Sequence, residues 1–357
     1  MPNGSLKIFS GRSHPDLAKK ICDNLSLPLG KSHVVEFSNQ NLMPQIDENV
    51  RGADVFVMQT SCAPVHTGIM EMLLMIDALK HASAERITAV LPYFPYVRSD
   101  KKDKPRISIA ARLMADVIQT AGANRVLTMD LHSPQIAGFF RIPVDHLQAA
   151  PIITDYLQRC DLTNHVLIAG DASETKDVGR YANRLELPMA IVDKRRFDDS
   201  DTAKAANLIG DVQGKHAIII DDEVATGGTL TEAATFLKDK GAERITAAFT
   251  HAVLSGPAVE RLEKSVIERL VFTDTIPLPG QDLIKVRGAQ RSKNLRGSDP
   301  SDPRRRFALR ALPLTTPTSC RQKPRAPHYV VPRGFDTSFE MKNEEFKFQN
   351  YLYNSEI

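Results

Sequence analysis

Through its first 290 residues the chain alternates short apolar runs with longer segments whose apolar positions recur at helical spacing. Leu6–Phe9, Val34–Phe37, Val55–Gln59, Ile87–Pro92 and Val126–Asp130 read as strands, followed by 166–170, 189–192, 217–221, 245–250 and 269–273. Helices are predicted over Pro15–Leu25, Ile69–Ala82, Ile107–Thr120, 148–159, 174–185, 230–239 and 256–264. Strands written as nearly unbroken apolar runs are buried on both faces, and strands and helices in turn predict an α/β fold with mainly parallel sheets and flanking helices.

One hexapeptide occurs twice. Ala84-Glu85-Arg86-Ile87-Thr88-Ala89 recurs as Ala242-Glu243-Arg244-Ile245-Thr246-Ala247, each time between a predicted helix and a predicted strand. Equivalent positions in two helix–strand units point to two similar domains, 1–147 and 148–287. Pro143-Val144-Asp145-His146-Leu147 leads across the boundary into a new helix. After residue 287 the pattern stops. Seven prolines fall between Pro300 and Pro332, and 288–357 reads as an atypical, irregular basic tail, its last 23 residues alternating aromatic and polar positions.

Charge reinforces that division. The whole chain carries +3, yet residues 287–334 hold 12 Lys or Arg against 2 Asp or Glu, which leaves the remainder near −7. A basic excess confined to the tail is a weak nucleic-acid signal, so no nucleic-acid partner is expected. No apolar run approaches membrane-spanning length, and the N-terminus lacks a basic-then-apolar leader, so no membrane association is expected. Cys22, Cys62, Cys160 and Cys320 have neither metal-ligand nor disulfide-scaffold spacing, which fits a reducing, cytoplasmic setting.

The chemistry gathers at strand ends. Ala217–Ile220 terminates in Asp221 and Asp222, and Thr226-Gly227-Gly228-Thr229 then opens a helix. Glycines permit close approach, backbone N–H groups at a helix start receive phosphate, and two hydroxyls add donors. The paired carboxylates suit sugar hydroxyls or a water-held Mg²⁺, so the ligand read here is a sugar phosphate. The loop Tyr96–Lys104 is charged, without an apolar anchor, and offers Arg98 and Lys101 to a polyphosphate. Asp130 and His132, two apart at another strand end, can converge on Mg²⁺ directly or through water, or His132 simply caps the turn. Asp171-Ala172-Ser173-Glu174-Thr175-Lys176 joins a strand to a helix and is equally readable as an anion loop or as simple capping. Lys194-Arg195-Arg196 places three cations at a strand end, suited to a transferring phosphoryl group or to a solvated edge.

Taken in order, these segments resemble the ribose-phosphate pyrophosphokinase, or phosphoribosyl pyrophosphate synthetase, family. The resemblance runs from about residue 5 to 286. It includes Ile8-Phe9-Ser10-Gly11, Phe37-Ser38-Asn39-Gln40, Met129-Asp130-Leu131-His132, Ile142-Pro143-Val144-Asp145, Ser255-Gly256-Pro257-Ala258 and Thr273-Asp274-Thr275-Ile276-Pro277. It implies two phosphoribosyltransferase-like domains and transfer of the diphosphoryl group of ATP to the 1-hydroxyl of ribose 5-phosphate, releasing AMP. It assigns ATP to Phe37, Asn39, Asn41, Arg98, Ser99, Asp100 and Lys101. Ribose 5-phosphate falls to Asp221, Asp222, Thr226, Gly227, Gly228 and Thr229, and diphosphate to residues 171–176. Mg²⁺ falls to His132 and Asp171 with Asp130 as a further candidate, and catalysis to Lys194 and Arg196. An ATP site shared between subunits implies a dimer-based homo-oligomer, such as a hexamer.

The chain departs from the family pattern at several of these points. Asn41 stands for Glu, Ser99 for Gln, Arg141 for Asp, Ala225 for a third Asp, and Asp171–Glu174 for a glycine-rich loop. These departures define the rival expectation, a non-catalytic homologue that binds and regulates active synthetase subunits. A phosphoribosyltransferase acting on a base fits 221–229 alone. The family's final helix, resembling AEAIRRI, is missing after Val286. Suitable synonymous codons for residues 294–306, read one base forward, encode ICAEAIRAIRDG. The tail is therefore either a frameshift product or a genuine extension.

Overall fold

In the computed structural model the described residues are 5–195, 204–278, 308–310 and 328–330. The chain runs β1 (Leu6–Ser10), α1 (Pro15–Asn24), β2 (Ser32–Glu36), β3 (Leu42–Ile46), β4 (Asp54–Met58), α2 (Val65–His81), β5 (Arg86–Leu91), α3 (Ala110–Ala121), β6 (Arg125–Met129), a 3₁₀ turn (Pro134–Phe139) and β7 (Val144–Leu147). It continues through α4 (Ala150–Leu157), β8 (His165–Ala169), α5 (Thr175–Leu185), β9 (Met189–Arg195), β10 (Lys204–Ile209), β11 (His216–Glu223), α6 (Gly228–Asp239), β12 (Arg244–His251), α7 (Ala258–Lys264) and β13 (Arg269–Phe272).

The strands form two open sheets. The first has the order β1-β4-β5-β6-β7, and every pairing in it is parallel. The second runs β10-β9-β8-β11-β12-β13 and continues into two short edge strands. It is parallel except where β10 returns antiparallel along β9. The apolar runs dictate this. All five residues of β4 are buried, as are Ala217–Ile220 of β11, because helices cover both faces of each sheet. Each sheet accordingly has two apolar clusters, one per face. Phe9, Val57, Met75, Ile76 and Ile87 belong to one face of the first sheet, and Ile8, Phe56 and Met58 to the other. In the second sheet Ile219, Ile245 and Phe249 pack on one face, and Ile218, Ile220 and Val271 on the other. Truncating one of these, such as Ile219 to Ala, removes about 2–5 kcal/mol of stability.

The repeated hexapeptide has an equivalent setting in both sheets. Each copy enters the strand after a helix, and its Glu N–H bonds to the backbone just before the neighbouring strand: Glu85 to the Ala53 carbonyl, Glu243 to the Lys215 carbonyl. Five strands depart from the sequence expectation. β3 forms an antiparallel hairpin with β2 despite Pro44, which sits on a two-stranded ribbon and interrupts no central ladder. β7 completes the first sheet where the sequence reads as linker, and Asp145 at its centre is held by Arg125 at 3.0 Å. β10 is a polar-start edge strand without alternation. Within the region expected to be irregular, β14 (Ala308–Arg310) and β15 (His328–Val330) add to the edge beyond β13, both in parallel. An open edge offers unpaired backbone groups that even a three-residue stretch can satisfy. The rest of the 288–357 expectation lies outside the described residues. Among the described residues no helix is long and apolar enough to cross a membrane.

The two sheets meet through the loops at the carboxyl ends of their strands. His14, Thr60, Tyr93 and Asp130 follow β1, β4, β5 and β6, and they touch residues at or beyond the ends of β11, β12 and β13. His14 Nε2 lies 2.9 Å from the Asp274 carbonyl, and Lys20 reaches the Asp274 carboxylate at 2.8 Å. Thr60 donates to the Thr275 carbonyl at 2.7 Å. Tyr93 donates to Glu223 at 2.7 Å, and Thr250 to Asp130 at 2.5 Å. Carboxyl strand ends are where open α/β sheets expose their functional loops, and here two such ends face one another.

Candidate active site

β11 carries the centre of this region. Its apolar segment places Asp221, Asp222 and Glu223 at the strand end, and the chain then turns through residues 224–227 into α6. The turn is pinned to the exit of β12 from below: Val224 N–H bonds to the His251 carbonyl, Leu254 N–H to the Val224 carbonyl and Ser255 N–H to the Ala225 carbonyl. Gly227 has φ +72°, a left-handed conformation that favours glycine. No protein acceptor pairs with the backbone N–H groups of Thr226, Gly227, Gly228 or Thr229 among the described residues. Open donors at the positive end of an α-helix make an anion cradle. Thr226 and Thr229 are exposed beside it.

The loop after β8, which neighbours β11 in the sheet, is built differently. Gly170 N–H donates to the Glu174 carboxylate at 2.8 Å, and Asp171 Oδ1 accepts from the N–H groups of Ser173 at 2.8 Å and Glu174 at 3.2 Å. Thr175 Oγ1 donates to the Ala172 carbonyl. Three backbone donors that a diphosphate would use are thus held by the loop's own carboxylates. Lys176 follows in the first turn of α5.

The acidic strand end has opposed electrostatics. Burial pushes the Asp221 carboxyl well above its ordinary range, and the charges of Glu174 and Asp222 push it further. Burial also works to raise Asp222, but His132, by hydrogen bond and charge, overcomes it and holds Asp222 below its ordinary range. His132 Nδ1 and Asp222 Oδ2 are 2.7 Å apart, and that bond in turn raises the His132 pKa.

Asp130 does not join them. Its carboxylate accepts from Thr250 and from the Ala149 N–H, and burial first of all raises its pKa to about 6. The expected convergence of Asp130 with His132 is therefore corrected. The Asp130 side chain is bonded in the contact between the sheets, and that of His132 to Asp222. No cluster of three or more His, Cys, Asp or Glu side chains able to hold a metal occurs among the described residues.

The remaining sequence candidates fall in three places. Phe37, Asn39 and Asn41 form the β2–β3 turn, where Asn39 accepts from the Asn41 N–H and Phe37 is 46% exposed. No hydrogen bond or ion pair joins this turn to Arg98 or to the Asp221 cluster among the described residues. Arg98 Nε lies 3.4 Å from Glu223. Its loop is not unanchored, contrary to expectation: Val97 is only 2% exposed and packs in the first sheet's core. Ser99 contributes backbone bonds to Tyr96 and Ala111, while Asp100 and Lys101 lie in the more exposed part of the loop. Lys194 is on β9 opposite Ala205, and Arg196 lies outside the described residues. Of the departures from the family pattern, Ala225 has its carbonyl bonded to the Ser255 N–H beyond β12, and Arg141 is exposed beside Gln119.

Sequence reasoning missed Glu223, Tyr93 and His251. His251 is fully buried, with Nδ1 2.8 Å from Thr275 Oγ1 and Nε2 near the Met129 and Asp130 carbonyls, and burial lowers its pKa to about 4. A third carboxylate after Asp221 and Asp222 was a visible signal; its partner was not.

Comparison with known proteins agrees with this geometry. A family model for the N-terminal domain of ribose phosphate pyrophosphokinase matches residues 6–122, and one for a phosphoribosyl synthetase-associated domain matches 199–293. A ribose-phosphate pyrophosphokinase of Caldanaerobacter subterraneus subsp. tengcongensis is 51% identical over 287 residues, spanning 79% of this chain and 90% of that protein. One from Bacillus subtilis is 45% identical over 281 residues, spanning 79% and 88%. The crystal structure of phosphoribosylpyrophosphate synthetase from Mycobacterium smegmatis superposes with a TM-score of 0.73 at 39% identity, covering 78% of this chain and 91% of that one. Two sheets joined at their carboxyl ends, an open anion cradle beyond an acidic pair, and this degree of identity over most of both chains lead to one conclusion: the chain belongs to the ribose-phosphate pyrophosphokinase family.

Proposed function

We propose that this chain transfers the diphosphoryl group of ATP to the 1-hydroxyl of ribose 5-phosphate. The sugar oxygen bonds to the β-phosphorus and gives its proton to solvent, the bond from that phosphorus to the α–β bridging oxygen breaks, and AMP leaves with the bonding pair. The observation that carries the reading is the open cradle at Thr226–Thr229 directly beyond Asp221 and Asp222. The cradle holds the 5-phosphate through backbone N–H groups, and the carboxylates accept from ribose hydroxyls. Phe37, Asn39, Asn41, Arg98, Ser99, Asp100 and Lys101 take ATP. The β2–β3 turn serves a neighbouring subunit in a dimer-based homo-oligomer, such as a hexamer. Residues 171–176 face the diphosphate, and Lys194 and Arg196 offset charge on the transferring group.

The two sheets with their helices are assigned as domains 1–147 and 148–287. Mg²⁺ usually binds through one or two protein side chains and completes its octahedron with water and substrate phosphates. Asp171 suits direct contact with such an ion, and His132 contact through one of its waters. When bound, Mg²⁺ supplies charge neutralisation on the polyphosphate. A cytoplasmic location is inferred from the scattered cysteines, which have no disulfide-scaffold spacing.

Purified protein supplied with ATP, Mg²⁺ and ribose 5-phosphate should form AMP and phosphoribosyl pyrophosphate. Lys194→Ala should lower kcat by about 100-fold or more while ribose 5-phosphate binding changes by less than about threefold. Absence of both products, alone and with an intact homologous subunit, would overturn the proposal.

A further inference from the structure

Glu223 is the last residue of β11, and its side chain is 5% exposed. Oε2 accepts the Tyr93 hydroxyl proton at 2.7 Å. Tyr93 is itself fixed from several directions: its N–H donates to Thr60 Oγ1 at 3.2 Å, its carbonyl accepts from Ser61, and its ring packs 4.8 Å from that of His251. The second oxygen, Oε1, meets no hydrogen-bond donor among the described residues, and what faces it is Arg98, Nε at 3.4 Å. The Arg98 side chain is 65% exposed.

A buried carboxylate with one oxygen short of a hydrogen bond is a poor way to stabilise a core, since an apolar side chain of similar size avoids the desolvation cost. Its placement has another use. Glu223 stands two residues beyond Asp221 on the strand that leads into the sugar-phosphate cradle, and it faces the loop from the opposite sheet that carries Arg98. A long cation that is mostly in water samples many rotamers, and a fixed carboxylate narrows them.

We propose that Glu223 is a positioning residue that aims Arg98 at the ATP phosphates and so links the sugar-phosphate strand to ATP binding. The inference rests on the proposed reading of Arg98 as an ATP ligand. Tyr93 holds the carboxylate at a fixed depth, and Glu223 holds the guanidinium. Asp221, Asp222 and Glu223 share one strand end, so ribose 5-phosphate bound at the carboxylates and ATP bound at Arg98 act on the same element, and the first is expected to tighten the second.

Full-length protein is titrated calorimetrically with a non-hydrolysable ATP analogue and Mg²⁺, with and without ribose 5-phosphate, and KM and kcat are measured in parallel. Glu223→Gln keeps an acceptor for Tyr93 and removes the charge facing Arg98. It should weaken ATP binding about fivefold, raise KM for ATP by the same factor with a smaller change in kcat, and abolish the tightening by ribose 5-phosphate. Added to Arg98→Ala, it should have no further effect, because the two act as one unit. Tyr93→Phe should shift ATP affinity in the same direction by about twofold, and it carries the test if Glu223→Gln fails to fold. A purely structural Glu223 would lower the melting temperature and leave ATP affinity unchanged. That result, or additive effects with Arg98→Ala, overturns the inference while leaving the ATP reading of Arg98 standing. Unchanged ATP affinity in Arg98→Ala overturns both, and product formation by the parent protein is scored independently of either.

Discussion

Two neighbouring loops in the second sheet start from the same design and end differently. Both leave the carboxyl end of a parallel strand, β8 or β11, and both feed a helix, α5 or α6. After β11 the glycine pair leaves backbone donors open. After β8, Asp171 and Glu174 turn back and take the donors at Gly170, Ser173 and Glu174. A helix N-terminus is therefore an anion site only when nearby side chains do not already occupy it. Capping residues and phosphate ligands compete for the same N–H groups. The first loop is open to an anion without rearrangement. The second must release a carboxylate before it can receive one.

The largest expected effect breaks the open loop. Gly227→Val forces a β-branched residue into the left-handed region and disturbs at least two charge-assisted hydrogen bonds of about 1.5–3 kcal/mol each, so ribose 5-phosphate affinity should fall about 100-fold or more by calorimetry. Ser173→Val in the other loop should change it less than about threefold, because that N–H is already engaged by Asp171. Equal losses in the two variants would erase the distinction.

A smaller effect comes from opening the closed loop. Glu174→Ala removes a negative charge and frees the Gly170 N–H, so inhibition by inorganic diphosphate should tighten about tenfold, the scale of a partly screened like-charge contact. An unchanged inhibition constant would mean that the carboxylate does not guard the loop.

The smallest effect is on pH dependence. Asp221, between the loops, has a raised carboxyl pKa caused first by burial and then by Glu174. A carboxyl raised above its unfolded value binds its proton more readily in the folded state. Its stabilising contribution is complete below the unfolded value of 3.8 and is lost as pH rises through the folded one. Glu174→Ala removes one cause, so thermal melts should favour the variant over the parent more at about pH 7.5 than at about pH 4.5, by roughly 1 kcal/mol. A difference of the opposite sign would place Asp221 under other control.

What could be read without the structure follows from the range of the forces involved. The buried parallel strands are legible because burial on both faces writes four consecutive apolar residues, as in Val55–Met58 and Ala217–Ile220. β3, β7 and β10 are not, because an edge or hairpin strand tolerates proline and charge, and its existence depends on the strand it finds. The same limit governs the site. The Asp221–Thr229 segment is contiguous and its chemistry is local. The importance of Glu223 depends on Tyr93, 130 positions away, and Asp130 was assigned to the wrong neighbour because Thr250 lies 120 positions beyond it. That the β8 loop caps itself was visible in its residue types, Asp171, Ser173 and Glu174, but which donors those carboxylates take is a matter of three dimensions.

The segment Thr273–Thr275 closes the contact between the sheets, and this has a consequence in time. His14 waits for Asp274, 260 positions later, and Thr60 for Thr275, 215 positions later. A ribosome adding about 5–20 residues per second completes the first sheet many seconds before it delivers that segment. The newborn half must stand with His14, Thr60, Tyr93 and Asp130 facing water, so its own two apolar clusters have to carry it alone. Polar residues at the future contact make that wait tolerable, since an unpaired hydroxyl or carboxylate is well solvated where an apolar face would recruit other chains. Synthesis order thus favours a hydrogen-bonded seam between the halves over a greasy one.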